Sequence, residues 1–182
     1  IRDEEDLYQN ILAFDWDEWL GLEQTFAIES IVNSEQFHNS HFISLKTKDG
    51  LVDFFYKKYG SRPNVDVRFP DLRIQIHISS LNRCTVSIDT SGEALYKRGY
   101  KKRQTEASIN ECLAAGMILM TNWRGESDFY DPMCGSGTLF IEAAMIASHF
   151  PVNLNRAKWS FFQFKGFDLK QFEALKERLK SN

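Results

Sequence analysis

The sequence predicts an α/β protein in which helices pack on a small mixed sheet and the beginning of a second α/β domain follows. Three observations support this fold class. Hydrophobic and polar residues alternate in residues 72–80, as in a half-buried strand. Apolar residues recur at helical spacing in residues 40–59. A glycine loop at residues 131–138 follows a short hydrophobic run and opens an apolar helix, which is typical of a strand-to-helix unit.

Composition and length favour a folded protein with one large or two small domains. The chain has 182 residues, of which 43% are hydrophobic and 14% aromatic, which is enough for hydrophobic cores. No apolar run approaches the roughly 18 residues of a membrane span. The formal net charge of −3 argues against a protein coated in positive charge, although an average can conceal a local patch. We therefore expect a soluble, cytoplasmic protein.

Metal sites and disulfide crosslinks are not predicted. Cys84, Cys112 and Cys134 are odd in number and lack C-x-x-C spacing, so they support neither a disulfide framework nor a zinc ribbon. His38 and His41 have no nearby Cys or carboxylate that would complete a metal site. We assign these histidines to the surface or to helix capping.

Helical spacing of apolar residues predicts the first and third elements of the chain. Residues 4–20 have this spacing, broken near residues 14–17, so one or two short amphipathic helices are expected. The spacing places Trp16 and Trp19 in a hydrophobic core, which we favour over a base-stacking surface. Residues 40–59 are predicted to form one long helix.

Alternation of apolar and polar residues predicts three strands. Residues 25–32 form the first strand, between the two helical regions. Residues 72–80 and 84–89 form two more strands, and the short connection between them predicts an antiparallel hairpin with one buried face. His77 lies on the polar face and is expected to be exposed. The predicted order is therefore helix, strand, long helix, strand, strand.

The glycine loop joins a predicted strand to a predicted helix. Residues 129–130 end the strand, and Pro132 cannot continue a ladder. Gly135 and Gly137 permit backbone conformations with positive φ, so the chain can turn sharply here. A helix follows from about Thr138. The loop therefore lies at a helix N-terminus, where free N–H groups and the helix dipole attract an anion.

Asp131 and the spacing of the loop narrow the class of ligand. Asp131 lies at the carboxyl end of the strand, where ligands of open α/β sheets bind, so a ligand with a negative end and polar or cationic parts is indicated. A P-loop needs Lys where Thr138 stands, and a dinucleotide fingerprint needs Gly where Phe140 stands. Neither Ser136 nor Cys134 has the motif spacing of a nucleophile. A turn that binds nothing remains the alternative.

Motifs along nearly the whole chain resemble one protein family. The glycine loop resembles motif I of class I methyltransferases that bind S-adenosylmethionine. More closely, the chain resembles the THUMP-domain RNA methyltransferases, in particular the bacterial large-subunit ribosomal RNA guanine-N2 methyltransferases, often labelled N6-adenine-specific DNA methylases. The matching motifs are residues 131–139 followed by 141–144, residues 62–66, residues 87–92, residues 95–100 and residues 110–115.

The resemblance implies a domain organisation and a cofactor. It implies a THUMP RNA-binding module in residues 1–95, a basic linker in residues 96–106, and the N-terminal portion of a Rossmann-like methyltransferase domain in residues 107–182. A helix predicted over residues 104–123 precedes motif I, and the family more often has Lys where Asn110 stands. The cofactor is S-adenosylmethionine, and the residues implied to bind it are Asp131, Pro132, Met133, Cys134, Gly135, Ser136, Gly137, Thr138 and Glu111.

One basic cluster, residues 96–103, contains five cations and two tyrosines in eight residues. Cations bind phosphate, and tyrosine stacks on an unpaired base. Composition alone favours a solvated loop between domains, whereas the position between the RNA module and the methyl-donor loop favours RNA binding. The residues assigned to ribosomal RNA are Lys97, Arg98, Tyr100, Lys101, Lys102, Arg103, Arg62 and Asn64.

The resemblance also implies a reaction, methyl transfer from S-adenosylmethionine to the exocyclic amine (N2) of a guanosine in ribosomal RNA. The family's catalytic loop contains Pro-Pro, which this chain lacks, so no catalytic residue is assigned within it. Residues 1–4 are neither a signal peptide nor a natural start. We expect a fragment of a longer enzyme that has no methyltransferase activity on its own. An RNA-binding module without catalysis and an adenine-N6 DNA methyltransferase remain alternatives.

Overall fold

The computed structural model describes residues 1–101 and 108–180. The chain divides into two compact units. Unit 1 comprises Ile1–Gly92 and Lys158–Leu169, and unit 2 comprises Glu93–Ala157 and Lys170–Asn182. The mixed α/β class predicted from the sequence is confirmed.

The helices of unit 1 lie where the apolar spacing predicts them. Helix α1 (Glu4–Leu12) is followed by a short 3₁₀ helix (Trp16–Glu18), which accounts for the break in the first helical pattern. Helix α2 (Ser40–Tyr59) has the predicted bounds. The Asn39 side chain caps its N-terminus by accepting a hydrogen bond from the Phe42 N–H, and Gly60 ends it in the left-handed conformation with φ of 69°.

The sheet of unit 1 has four strands: β1 (Thr25–Val32), β2 (Asn64–Val65), β3 (Leu72–Ile78) and β4 (Cys84–Ile88). Their order is β2-β1-β3-β4. Strand β1 runs parallel to both β2 and β3, while β3 and β4 form an antiparallel pair, so the predicted hairpin is confirmed. Strand β2 is too short to give an alternating pattern and was not predicted.

One face of this sheet packs on α1 and α2 and carries the core of unit 1. Because side chains alternate along a strand, β3 directs every second residue to this face. These residues are Leu72, Ile74, Ile76 and Ile78, and each is at most 2% exposed. The opposite face carries polar groups such as His77, which is exposed as predicted.

The prediction that both early tryptophans are core is confirmed for one and wrong for the other. Trp16 is 1% exposed, and its indole N–H donates to the Ile11 carbonyl at 2.7 Å. Trp19 is 38% exposed: it caps the C-terminus of the 3₁₀ helix, and its ring makes an edge contact with Phe164 at 6.2 Å between centroids. Phe164 belongs to residues 158–169, which pack on unit 1 and whose Phe161 N–H donates to the Thr90 carbonyl.

Unit 2 contains α3 (Glu111–Met120) and α4 (Thr138–Ala147), which pack against each other, and most of α5 (Leu169–Lys180). The helix predicted over residues 104–123 is shorter, and residues 102–107 lie outside the described part of the chain. Asn110 caps α3 by accepting a hydrogen bond from the Leu113 N–H. Within the described residues, no helix has the length and apolar character needed to cross a membrane.

The strand predicted to end at residues 129–130 does not form. A strand is stabilised by hydrogen bonds to a neighbour, and among the described residues of unit 2 none forms a strand. The Phe129 ring instead packs against two aromatic side chains. Its centroid lies 5.1 Å from that of Trp123 and 5.7 Å from that of Phe140. These contacts fix the chain on α4 just before the glycine loop.

Candidate functional site

The glycine loop, residues 131–137, turns sharply and leads directly into α4. Gly135 and Gly137 have φ of 52° and 75°, a region in which a side chain would strain the backbone. The Gly137 N–H donates to the Cys134 carbonyl at 2.7 Å and closes the turn. The positive φ values predicted for both glycines are therefore present in the structure.

The N-terminus of α4 is open to an anion. Its N-cap residue is Gly137, which has no side chain to accept a hydrogen bond from the first turn. The first hydrogen bond of the helix runs from the Ile141 N–H to the Gly137 carbonyl at 3.0 Å. The N–H groups before Ile141 have no carbonyl partner within the helix, so they are available to a carboxylate or phosphate.

Asp131 adds a buried acceptor beside this helix end. One carboxylate oxygen, Oδ1, accepts a hydrogen bond from the Met133 N–H at 3.1 Å and shapes the loop. The other, Oδ2, is buried and has no hydrogen-bond partner among the described residues. A buried carboxylate oxygen without a donor is costly, so this atom fits a donor supplied by a ligand.

The remaining loop residues differ in what they expose. Met133 is 89% exposed, and Pro132, Cys134 and Gly135 are also exposed. Thr138 is only 1% exposed, and its hydroxyl lies 3.1 Å from that of Ser136. Thr138 therefore offers a ligand its backbone N–H rather than its side chain.

A buried carboxylate lies one helical turn after the loop. Glu142 in α4 is 1% exposed and accepts a hydrogen bond from the Tyr100 hydroxyl at 2.9 Å. The Arg98 Nε lies 3.5 Å from the same oxygen, and the Arg98 side chain is 10% exposed. Burial, together with the hydrogen bond to Glu142, raises the pKa of Tyr100, so its hydroxyl stays protonated and donates at all physiological pH.

A second buried carboxylate begins α3. Glu111 is 7% exposed, and its Oε1 lies 3.1 Å from the Lys101 ammonium. Lys101 also donates to the Ile109 carbonyl at 2.9 Å. Glu111 was assigned to the cofactor by resemblance, and its partner in the described structure is this lysine.

The basic cluster therefore does not present all its charges to solvent. Arg98, Tyr100 and Lys101 contact carboxylates inside unit 2. Lys97 is the most exposed of the described cations in the cluster: its side chain is 53% exposed and pairs with Glu93 at 3.1 Å. The two other cluster residues assigned to RNA, Lys102 and Arg103, lie outside the described residues.

The RNA candidates of unit 1 are at the surface. The Arg62 side chain is 55% exposed, lies 3.8 Å from the Asp53 carboxylate and covers the ring of Tyr56 at 4.8 Å from its centroid. Asn64 is exposed in β2. Arg62 and Asn64 belong to unit 1, whereas the basic cluster belongs to unit 2.

Glu142 was not predicted from the sequence, although a signal for it exists. It is a single charged residue in the otherwise apolar run of residues 139–147. A charge buried within such a run requires a hydrogen-bonding or charged partner. Its partners are not visible in the sequence, because Tyr100 precedes it by 42 residues.

Two domain families match the chain, and together they span almost all of it. Residues 2–89 match the THUMP domain. Residues 98–182 match a family described as RMKL-like, methyltransferase domain. The sequence-based prediction of a THUMP module followed by a methyltransferase domain is confirmed by these matches.

Individual relatives and solved structures agree with the domain matches. The chain is 43% identical over 91% of its length to "Ribosomal RNA large subunit methyltransferase K/L" of Buchnera aphidicola subsp. Schizaphis graminum, and it covers 24% of that protein. It is 32% identical to SMU.472, described as a methyltransferase and solved in complex with SAH, with a TM-score of 0.83 over 99% of this chain and 47% of that one. A predicted N6-adenine-specific DNA methylase from Listeria monocytogenes is 25% identical, with a TM-score of 0.84 over 100% of this chain and 47% of that one.

The chain thus spans about a quarter of the length of the curated relative and about half the length of each solved structure.

Proposed function

We propose that the protein is part of an RNA methyltransferase. The order of its domain matches, a THUMP domain followed by an RMKL-like methyltransferase domain, supports this function. The reaction that we infer is transfer of a methyl group from S-adenosylmethionine to the exocyclic amine (N2) of a guanosine in large-subunit ribosomal RNA. A relative at 43% identity bears the name of a ribosomal RNA large subunit methyltransferase, which supports the RNA substrate class. We infer a cytoplasmic location, where ribosomal RNA is modified.

The observation that carries this proposal is the pairing of an open helix N-terminus with a buried, unpartnered carboxylate oxygen. S-adenosylmethionine has an amino-acid end with a carboxylate and an ammonium. The N–H groups at the start of α4 match the carboxylate, and Asp131 Oδ2 matches a cationic or hydroxyl donor. The glycine loop, together with Thr138 at the start of α4, therefore fits the methyl donor that the family uses.

S-adenosylmethionine supplies a methyl group made electrophilic by its sulfonium, which needs no metal. The role of this chain is to bind the methyl donor and to orient it. Asp131 and the first turn of α4 fix one end of the donor, and the positive-φ glycines let the backbone approach it closely. Glu111, which resemblance also assigns to the cofactor, acts in our proposal through α3 rather than from a free carboxylate.

Recognition of RNA is assigned to exposed polar and basic residues of both units. A base that is methylated must be unstacked before it reaches the donor. In our proposal Arg62 and Asn64 of unit 1 bind the phosphate backbone, and Lys97 of unit 2 does the same. Lys102 and Arg103 are assigned to the same task from the sequence. The domain limits proposed above, 1–95, 96–106 and 107–182, divide these roles between an RNA module, a basic linker whose residues 98–101 contact carboxylates of unit 2, and a methyltransferase domain.

The test uses the complete natural protein that contains this sequence. It is incubated with methyl-labelled S-adenosylmethionine and either protein-free ribosomal RNA or duplex DNA, and the products are digested to nucleosides and separated by mass. We expect label in N2-methylguanosine from the large-subunit RNA. Label in N6-methyladenine of DNA would support the activity named for the Listeria neighbour instead. Absence of label in both, with RNA binding retained, would leave an RNA-binding module.

Asp131→Asn tests whether the Asp131 carboxylate binds the methyl donor. The substitution keeps the size of the side chain and removes the charge of the buried oxygen. We expect the KM for the donor to rise by roughly tenfold or more, because a hydrogen bond to a charged group contributes about 1.5–3 kcal/mol. An unchanged donor KM would exclude Asp131 from the donor site. The 182-residue chain alone is expected to show no turnover.

A further inference from the structure

Among the described residues of unit 2, the buried acidic residues are Glu142 and Glu111, and segment 98–101 supplies partners of each. Arg98 and Tyr100 contact Glu142 in α4, and Lys101 contacts Glu111 in α3. Both cations are nearly enclosed, with side chains 10% and 11% exposed. Although Gly99 is exposed, the side chains of Arg98, Tyr100 and Lys101 are therefore anchored on the buried carboxylates of unit 2.

Glu142 is placed to act on the glycine loop. It follows Thr138 by four residues, so the two side chains lie on the same face of α4, one turn apart. Both are 1% exposed, which shows that this face is packed. A group that holds Glu142 therefore holds the first turn of α4, whose N–H groups end the loop.

Glu111 has the same relation to α3. It is the first residue of that helix, next to the capping residue Asn110. Lys101 ties it to the Ile109 carbonyl just before the helix begins. Since α3 packs against α4, segment 98–101 joins the first residue of α3 to the middle of α4 and fixes one helix relative to the other.

We propose that Tyr100, Arg98 and Lys101 are positioning residues for the methyl donor, acting through Glu142 and Glu111 on the loop at residues 131–137. This inference rests on the proposed function and refines it. The three side chains that the sequence offers to RNA here, two cations and one tyrosine, serve the donor site instead. A change in segment 98–101 is then transmitted to donor binding without any contact with the donor.

The test is Tyr100→Phe in the complete natural protein, which removes only the hydroxyl that Glu142 accepts from. We expect a rise of roughly three- to tenfold in the KM for S-adenosylmethionine. This is smaller than the rise expected for Asp131→Asn, because the lost hydrogen bond acts on the loop only through α4. The KM for ribosomal RNA is expected to stay unchanged. Arg98→Ala should raise the donor KM further, and Arg98→Lys should restore part of it, because the positive charge beside Glu142 is kept.

Tyr8→Phe is the matched control. The Tyr8 hydroxyl donates to the Asp53 carboxylate at 2.8 Å and links α1 to α2 within unit 1. The substitution removes the same kind of bond at a site outside the donor residues. Because Asp53 also lies 3.8 Å from Arg62, this control is scored on the donor KM alone. We expect a fall in unfolding temperature similar to that of Tyr100→Phe, with the donor KM of the wild type.

Three results would overturn the inference. If Tyr100→Phe lowered the unfolding temperature but left the donor KM unchanged, its role would be purely structural. If it raised the RNA KM alone, Tyr100 would contact RNA. If Tyr8→Phe raised the donor KM equally, the effect would be general. Absence of donor-dependent turnover in the wild-type protein would overturn the proposed function itself, whereas the first three results leave that function intact.

Discussion

Unit 1 and unit 2 bury their apolar side chains to very different extents. In unit 1 large side chains such as Trp16, Phe26 and Phe55 are at most 1% exposed and form one continuous cluster. In unit 2 the buried apolar residues among those described are Ala114, Ile118 and Ala143. Unit 2 instead buries Glu111, Glu142 and their partners.

The exposed apolar residues of α3 show what this difference means. Leu113, Met117, Leu119 and Met120 are between 46% and 85% exposed, although helices that are apolar on every face are typical of protein interiors. Unit 1 is stabilised by a non-directional hydrophobic core, whereas the described part of unit 2 depends on a few directional contacts. The two units should therefore respond differently to matched substitutions.

Truncation of one leucine in each unit gives the largest expected contrast. Leu51 of α2 is fully buried, so Leu51→Ala should lower the free energy of unfolding of unit 1 by about 2–5 kcal/mol. Leu119 of α3 is 46% exposed, so Leu119→Ala should change the stability of unit 2 by less than about 0.5 kcal/mol. Hydrogen exchange of the amides of each unit measures both. A cost above about 2 kcal/mol at Leu119 would mean that this face is covered in solution and would break the comparison.

Two helical glycines give the next contrast, with opposite signs. A Cβ at Gly50 of α2 would lie 2.9 Å from Ile11 Cγ2 and 3.1 Å from the Tyr8 carbonyl oxygen. Ile11 is 4% exposed and has little room to move. Gly50→Ala should therefore destabilise unit 1 by about 1–2 kcal/mol, because overpacking costs more than the higher helix propensity of alanine contributes.

At Gly116 of α3 a Cβ would meet nothing within 4 Å. Gly116→Ala should therefore stabilise unit 2 by up to about 1 kcal/mol, since alanine favours the helix and no contact opposes it. Urea unfolding followed by exchange of α2 and α3 amides checks both signs. Stabilisation at Gly50 would show that α1 and α2 are less tightly packed than described.

A surface carboxylate of unit 1 gives the smallest effect. Hydrogen bonds from the Lys58 ammonium and the Tyr59 hydroxyl lower the pKa of Asp17. A lowered pKa in the folded state adds stability above the unfolded value of about 3.9, and this stability is lost as the pH falls through the folded value. Wild-type stability should therefore fall slightly more than that of Asp17→Asn below about pH 4 in a urea titration. Parallel curves would show that this contact contributes nothing, consistent with a unit stabilised by its core.

Local patterns predicted local structure well. Helix α2 was bounded correctly because its apolar period, its capping Asn39 and its terminal Gly60 are all encoded within the segment. The hairpin of β3 and β4 is equally local. The turn at Gly135 and Gly137 could be predicted because its constraint acts on single residues.

What the sequence did not reveal depends on contacts between distant residues. Whether Trp19 is buried depends on Phe164, and the engagement of Arg98 depends on Glu142. The strand at residues 129–130 was predicted from composition, but a strand also needs a neighbour to pair with. The basic cluster was assigned by its charge, and charge alone does not tell a surface cation from one that neutralises a buried carboxylate.

The parallel pairing of β1 with β3 has a consequence for how unit 1 folds. Phe26 pairs with Leu72, so the chain must close a loop that contains all of α2 before this contact can form. Loop closure costs entropy before the pairing returns any free energy, whereas the β3–β4 hairpin and α2 need only local contacts. We therefore expect the hairpin and the long helix to form early in synthesis or refolding. The arrival of β1 between β2 and β3 would then set the folding rate of unit 1.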